Sequence, residues 1–149
     1  MPKKPLSGLT MLVVEDVTSI RSLVVKLLER QGCDDVSEAA DSETAWHHLK
    51  RRKFDAILLD YELQSDDGVS IAWRIRGDDG LINQNVPIIL LTAHDEAMIV
   101  EAAGKAGVDA YLVKPVMPDR LGQRILNAIK HRQDAVGLPP GGTEVDWKN

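Results

Sequence analysis

The sequence contains a single cysteine and lacks a long apolar run. Because Cys33 has no partner in the chain, neither an intrachain disulfide nor a Cys-x-x-Cys metal site can form, which favours a reducing compartment. Residues 1–10 include no apolar segment of signal-peptide length, and no stretch approaches the roughly 20 apolar residues of a membrane span. We therefore expect a cytoplasmic protein that does not enter a membrane.

A basic surface and a glycine-rich phosphate loop are also missing. The formal net charge is -5, and the only basic run, Lys50 to Lys53, fits the solvated carboxyl end of a helix better than a docking patch. Direct binding to nucleic acid, which needs a basic stripe, is therefore not expected. No GxGxxG or P-loop motif opens a helix, so a nucleotide-binding fold is the least favoured hypothesis.

The 149 residues, 44% of them hydrophobic, fit one globular domain rather than two. From Gly137 onward the composition shifts to glycine, proline and polar residues, which is typical of a linker. We predict an N-terminal extension over residues 1–8, a folded domain over residues 9–132 and a flexible C-terminal tail over residues 133–149. Trp147 in this tail is more readily explained as an exposed or locally docked aromatic than as a partner-binding anchor.

Short apolar runs alternate with helical patterns along the whole domain. This alternation predicts an α/β fold in which a five-stranded parallel sheet is covered by helices on both faces. The predicted strands are Leu9–Val14, Asp35–Glu38, Phe54–Leu59, Val86–Leu91 and Asp109–Val113. The fourth helix, from about Asp95, is rich in alanine and glycine and should be loosely held, because small side chains bury little area.

Polar residues follow four of these strands. Ligands of an open parallel sheet bind where the carboxyl ends of the strands meet, so Glu15, Asp16, Asp60, Thr92 and Lys114 should share one rim. Two carboxylates about 4 Å apart repel by about 4 kcal/mol at an effective dielectric constant near 20. Lys114 neutralises only one charge, and oxygen ligands without histidine or cysteine favour Mg²⁺ or Mn²⁺.

A carboxylate beside a divalent cation, a lysine and a hydroxyl has the parts needed for phosphoryl transfer onto the carboxylate oxygen. Asp60 is central enough to be this nucleophile, with Lys114 holding a phosphoryl oxygen and Thr92 donating a hydrogen bond to the product. Taken singly, each residue also has a plain structural explanation. The acidic pair could be helix-start charges, Asp60 a turn residue, Thr92 a helix cap and Lys114 a surface lysine.

Four motifs in combination make the sequence resemble the receiver domain of two-component signalling, in particular chemotaxis regulators, over roughly Leu9 to His131. They are Leu12-Val13-Val14-Glu15-Asp16, Leu58-Leu59-Asp60 with Gly68 closing the following loop, Leu91-Thr92-Ala93, and Lys114-Pro115. The resemblance implies a flavodoxin-like, doubly wound sheet with strand order 2-1-3-4-5.

The resemblance also implies a role for each residue. Asp60 would be phosphorylated, and the metal ligands would be Glu15, directly or through water, together with Asp16, Asp60 and the Glu62 backbone carbonyl. Thr92 and Tyr111 would form the switch, with the hydroxyl moving toward the phosphoryl group and the ring turning inward. The Lys114-Pro115 peptide bond would be cis.

Three residues that flank the phosphoryl site, Glu62, Ala93 and His94, are predicted modulators. We hypothesise that a contact between Glu62 and His94 alters the access of water to the acyl phosphate. The alternative is that both are exposed loop side chains without a role. The loop after Asp60 has Leu63-Gln64-Ser65 where many relatives have a proline, which makes its rigidity uncertain.

By this resemblance the protein receives phosphate from a histidine kinase or histidine phosphotransfer protein and signals to a downstream protein effector. The fourth helix, fifth strand and fifth helix would form the output face, which is also where a homodimer could assemble. The chain would catalyse only its own phosphorylation and dephosphorylation and would not be an enzyme in the usual sense. The alternative is a metal-dependent phosphatase or phosphotransferase with an aspartyl nucleophile, in which a second aspartate is common where this chain has Glu62.

Overall fold

The computed structural model of the protein describes residues 4–93 and 96–136. His94 and Trp147, which figure in the sequence predictions, lie outside these residues. The strands are β1 Thr10–Val14, β2 Asp35–Ala39, β3 Ala56–Asp60, β4 Ile88–Thr92 and β5 Ala110–Val113. The helices are α1 Thr18–Arg30, α2 Ser42–Arg51, α3 Gly68–Gly77, α4 Ala97–Lys105 and α5 Pro118–Ala135.

The five strands form one parallel sheet in the order β2-β1-β3-β4-β5, which confirms the predicted topology. Strands β3 and β4 are buried at every position, as expected for strands covered by helices on both sides. Alternate residues feed two separate cores: Leu12 and Ile57 belong to one, whereas Met11 and Leu58 belong to the other. The strand order changes direction between β1 and β3, so the rim above these strands is the expected ligand site.

Strands β3 and β4 each begin two residues later than predicted, and Asn83 supplies the reason. Its side-chain oxygen accepts a hydrogen bond from the Phe54 backbone N–H at 2.9 Å, and its carbonyl accepts one from the Val86 N–H at 2.9 Å. Phe54 and Val86 are buried apolar residues, but their backbone donors are thus used by the loop before β4. Hydrophobicity alone therefore overestimates both strands.

Helix starts follow the capping chemistry of the sequence in α2 and α3. Asp41 accepts a hydrogen bond from the Thr44 N–H at 2.8 Å, and Asp67 accepts one from the Ser70 N–H at 2.8 Å.

The last helix continues to Ala135, so the first three residues of the predicted tail are helical. In the predicted N-terminal extension, Leu6 is fully buried and its N–H donates to the Gln31 carbonyl at 2.9 Å.

Helix α4 buries only Ala103, and its Met98 side chain is 81% exposed, which agrees with the loose packing expected from its small residues. Among the helices of residues 4–93 and 96–136, none combines the length and the apolar character that crossing a bilayer requires.

Candidate functional site

The carboxyl ends of β1, β3 and β5 deliver three charged side chains to one point on the rim. Glu15 follows β1, Asp60 ends β3 and Lys114 follows β5. The Lys114 ammonium lies 2.6 Å from a Glu15 carboxylate oxygen and 3.1 Å from Asp60 Oδ1. Glu15 and Asp60 are almost completely buried, whereas the Lys114 side chain keeps 19% of its surface exposed. The predicted convergence of these residues is therefore present in the structure.

Asp16 completes a cluster of three carboxylates. One oxygen each from Glu15, Asp16 and Asp60 lies within 4.8 Å of the other two. Within the described residues this is the one group of three such side chains placed to share a metal ion. All three offer hard oxygen ligands without nitrogen or sulfur, which suits Mg²⁺ or Mn²⁺ better than zinc.

The site carries more negative than positive charge, and the pKa values reflect this excess. Burial raises the pKa of Glu15, the neighbouring Asp60 raises it further, and Lys114 opposes both effects. Burial alone would lower the pKa of Lys114, but its hydrogen bonds to Glu15 and Asp60 outweigh burial and raise it. An acid and a base that both hold their protons more tightly indicate a pocket that attracts cations.

A cleft of about 320 Å³ opens this cluster to solvent. Its walls include Asp16, Asp60, Glu62, Ala93 and Lys114. The Glu62 backbone N–H donates to Asp60 Oδ1 at 3.3 Å, and the Glu62 side chain is exposed. Two predicted modulators, Glu62 and Ala93, thus border the acceptor, whereas the proposed contact with His94 falls outside the described residues.

The two predicted switch residues occupy neighbouring strands. Thr92 ends β4, is 1% exposed, and its carbonyl accepts a hydrogen bond from the Lys114 N–H at 2.8 Å. Tyr111 in β5 is 5% exposed and belongs to the same core as Ala103 of α4. The structure therefore holds the tyrosine ring inward. The Lys114-Pro115 peptide bond is cis, as the resemblance implied.

Sequence reasoning missed one residue that contacts the acidic turn. Arg21 of α1 donates to the Glu15 backbone carbonyl at 2.7 Å and lies 3.1 Å from the Glu38 carboxylate. The sequence does contain one weak indication of this contact. Arg21 is the fourth residue of α1, near the helix end where the dipole disfavours a cation, so a compensating partner could be expected.

The family model described as the response regulator receiver domain matches residues 11–126. The chain belongs to this family. Receiver domains of two-component response regulators bind Mg²⁺ and accept a phosphoryl group at a cluster of acidic residues, and this chain has such a cluster. The aspartyl-nucleophile phosphatase gains no support from these comparisons.

Individual relatives agree with the family match. The receiver is 30% identical over 118 residues to the chemotaxis protein CheY-3 of Vibrio cholerae, covering 79% of this chain and 89% of the relative. A putative response regulator from Chloroflexus aurantiacus has a TM-score of 0.75 at 29% identity, covering 82% and 98% of the two chains. A third relative is the receiver domain of the sensor histidine kinase PA1611 from Pseudomonas aeruginosa, solved with a magnesium ion coordinated in its active-site cleft. Its TM-score is 0.72 at 30% identity, and the match covers 83% of this chain and 99% of that domain.

Proposed function

We propose that Asp60 is the phosphoacceptor and that its phosphorylation by a histidine kinase or histidine phosphotransfer protein is the signal this receiver transmits. The observation that carries the proposal is the position of Asp60. It shares the carboxylate cluster with Glu15 and Asp16, lies 3.1 Å from the Lys114 ammonium and lines the solvent-connected cleft. Among the described carboxylates, it is the one that joins the cation-attracting cluster to both the lysine and the cleft.

In the proposed reaction an Asp60 carboxylate oxygen attacks the phosphorus of a phosphohistidine. The phosphorus–nitrogen bond breaks, the imidazole leaves, and an acyl phosphate forms on Asp60. Lys114, already within reach of Asp60, would hold a phosphoryl oxygen. Glu15, Asp16, Asp60 and the Glu62 carbonyl would hold Mg²⁺ or Mn²⁺, which when bound neutralises negative charge around the transferring group.

One exposed apolar side chain lines the cleft, and two more lie close in sequence to the cleft residue Lys114. Val17 is 46% exposed and lines the cleft itself. Val113 and Met117, on either side of Lys114-Pro115, are 42% and 52% exposed. We propose that the phosphodonor protein binds over this cleft and contacts these apolar side chains as it presents its phosphoryl group to Asp60.

The output would pass through Thr92 and Tyr111 to the face formed by α4, β5 and α5. The Thr92 hydroxyl would move toward the acyl phosphate, which shifts an existing equilibrium between two conformations. Helix α4, with Ala103 as its one buried residue, is the element of this face held by the least burial. A downstream protein effector or a second copy of the chain would bind this face.

In this proposal the protein acts in the cytoplasm and turns over only its own phosphoryl group. The reduced, buried Cys33 is compatible with a reducing compartment. The modulator roles of Glu62, Ala93 and His94 belong to the same proposal, because the two described members border the cleft beside Asp60.

The test is incubation with a small acyl phosphate and Mg²⁺, followed by intact-mass measurement. Wild type should gain one phosphoryl group, and a chelator should abolish the gain. Asp60→Asn should gain none, while the matched control Asp66→Asn, which removes a nearby acid of the same loop, should behave as wild type. Equal labelling of Asp60→Asn and wild type would show that the acceptor is another residue.

A further inference from the structure

Arg21 is placed where the helix dipole alone would not favour it. It is the fourth residue of α1, close to the positive end of the helix, and its side chain is only 15% exposed. Two contacts compensate: one to the Glu38 carboxylate at 3.1 Å and one to the Glu15 backbone carbonyl at 2.7 Å. The second contact leads directly to the acidic turn of the phosphorylation site.

The backbone of Glu15 is thereby held on both sides. Its N–H donates to the Ala39 carbonyl of β2 at 3.0 Å, and its carbonyl accepts from the Arg21 guanidinium. Since Glu15 and Asp16 are neighbours in the chain, fixing this peptide fixes the point from which both carboxylates project. They repel each other and Asp60, so without such a restraint the turn would relax by moving them apart.

We propose that Arg21 is a positioning residue that holds the Glu15-Asp16 turn in the arrangement needed to bind a divalent cation. The inference rests on the function proposed above and adds to it a residue that does not touch the metal. Side chains that orient metal ligands from outside the coordination sphere typically change metal affinity by about 10–100-fold when they are removed.

The positive charge of Arg21 and its proposed positioning role predict opposite effects of its removal on the affinity for Mg²⁺. Removing a nearby positive charge should strengthen the binding of a cation, because the pocket then becomes more negative. Removing a restraint on the ligands should weaken it. The Glu38 carboxylate already offsets the Arg21 charge, so we expect positioning to dominate.

The experiment is calorimetric titration of Mg²⁺ into wild type, Arg21→Met, Arg21→Lys and the matched control Arg30→Met. Arg30 is an exposed arginine in the last turn of the same helix. We expect Arg21→Met to raise the dissociation constant for Mg²⁺ by about 10–100-fold, Arg21→Lys to give a smaller increase, and Arg30→Met to match wild type. Phosphorylation of Arg21→Met by a small acyl phosphate should recover when Mg²⁺ is raised to saturation, which a general folding defect would not allow.

Unchanged or tighter binding of Mg²⁺ by Arg21→Met would overturn the positioning role while leaving the proposed function intact. If Arg21→Met does not fold, wild-type affinity in Arg21→Lys would overturn it equally, since lysine keeps the charge without the guanidinium fork. Failure of wild type to bind Mg²⁺ at all would instead contradict the proposed function, and the inference with it.

Discussion

Replacing Glu15 by glutamine should stabilise the metal-free protein and weaken its binding of Mg²⁺. The Glu15 side chain is fully buried, and its carboxylate lies within 4.8 Å of those of Asp16 and Asp60. At an effective dielectric constant of about 20, each of these two repulsions is at least about 3.5 kcal/mol. The attraction to the Lys114 ammonium at 2.6 Å is about 6 kcal/mol on the same scale. The two repulsions together thus at least match the attraction, and the cost of burying the carboxylate adds to them.

Glutamine removes this charge at nearly constant volume, and Lys114 keeps Asp60 as its partner at 3.1 Å. Replacing a whole buried ion pair by apolar residues of similar volume often stabilises by about 1–4 kcal/mol, whereas removing one partner destabilises when it leaves the other charge unpaired. Because Lys114 remains paired but loses one contact, we expect about 1 kcal/mol, or about 2–4 °C in melting temperature. In Mg²⁺ at a hundred times its dissociation constant, wild type should gain about 2.7 kcal/mol. The variant has lost a ligand, and with a tenfold higher dissociation constant it would gain only about 1.4 kcal/mol, which reverses the order of stability.

The measurement is urea unfolding in chelator and in Mg²⁺, with Glu62→Gln as the control that removes an exposed acid from the same cleft. The control should change stability by no more than about 0.5 kcal/mol. If Glu15→Gln in chelator proves less stable than wild type by more than about 1 kcal/mol, the reasoning about excess negative charge is refuted.

The pH dependence follows from the raised pKa of Glu15. Since the folded protein binds this proton more tightly than the unfolded chain does, protonation favours the folded state. The resulting stabilisation is complete below the ordinary pKa of 4.5 and is lost as the pH rises through the raised value of the folded protein. The advantage of Glu15→Gln in chelator should therefore shrink as the pH falls through that window.

Three further substitutions test the supporting structure. Asn83→Ala should destabilise by about 2–4 kcal/mol in urea unfolding, because the buried amide bonds to three backbone groups at 2.6–2.9 Å, and exposed Asn85→Ala should change little. Asp109→Asn should cost about 3–5 kcal/mol in the same assay, because it leaves buried guanidinium groups without their carboxylate. Gly68→Ala should lower stability by about 1–3 kcal/mol and slow acyl-phosphate labelling, because a Cβ at Gly68 would lie 2.6 Å from the Asp60 carbonyl oxygen; a wild-type labelling rate would show that the loop adapts.

The sheet and its rim were predictable because they depend on local patterns. Four of the five strands, all except β2, are apolar runs, and each rim residue lies at or just beyond the end of one of them. Strand direction alone therefore places Glu15, Asp60, Thr92 and Lys114 on the same rim. The strand order itself came from the resemblance, since periodicity does not say which strands are neighbours.

The features that were missed are contacts of polar side chains with backbone groups. Asn83 lies in a loop where asparagine usually indicates only a turn, yet it is 1% exposed and bonds to groups 29–34 residues away. Arg21 contacts a backbone carbonyl, and no side-chain pattern encodes such a partner. Sequence reasoning therefore located the carboxylate cluster and its lysine but not the side chains that hold the surrounding backbone.

Asp60 and Asp109 show how the same residue type serves two purposes in one sheet. Both are buried, but Asp60 lies at the carboxyl end of β3, whereas Asp109 directly precedes the amino end of β5. Asp109 accepts hydrogen bonds from the Arg76 guanidinium and the Ile88 N–H, both at 2.9 Å, and its other oxygen lies 2.7 Å from His131 and 3.1 Å from Arg132. Burial lowers the pKa of Arg76 to about 9, with Asp109 opposing, so the guanidinium remains charged at neutral pH.

Protein cations thus satisfy Asp109, and its carboxylate is held in a structural role. Asp60 shares one ammonium with Glu15 and faces a further acid in Asp16, so its neighbourhood carries more carboxylates than the protein neutralises. This excess negative charge can bind a divalent cation, and in the proposed function the cation would then bind a phosphoryl group. The two buried aspartates therefore differ in the number of protein cations that contact them, and the one with fewer lies at the carboxyl ends of the strands, where ligands of such sheets bind.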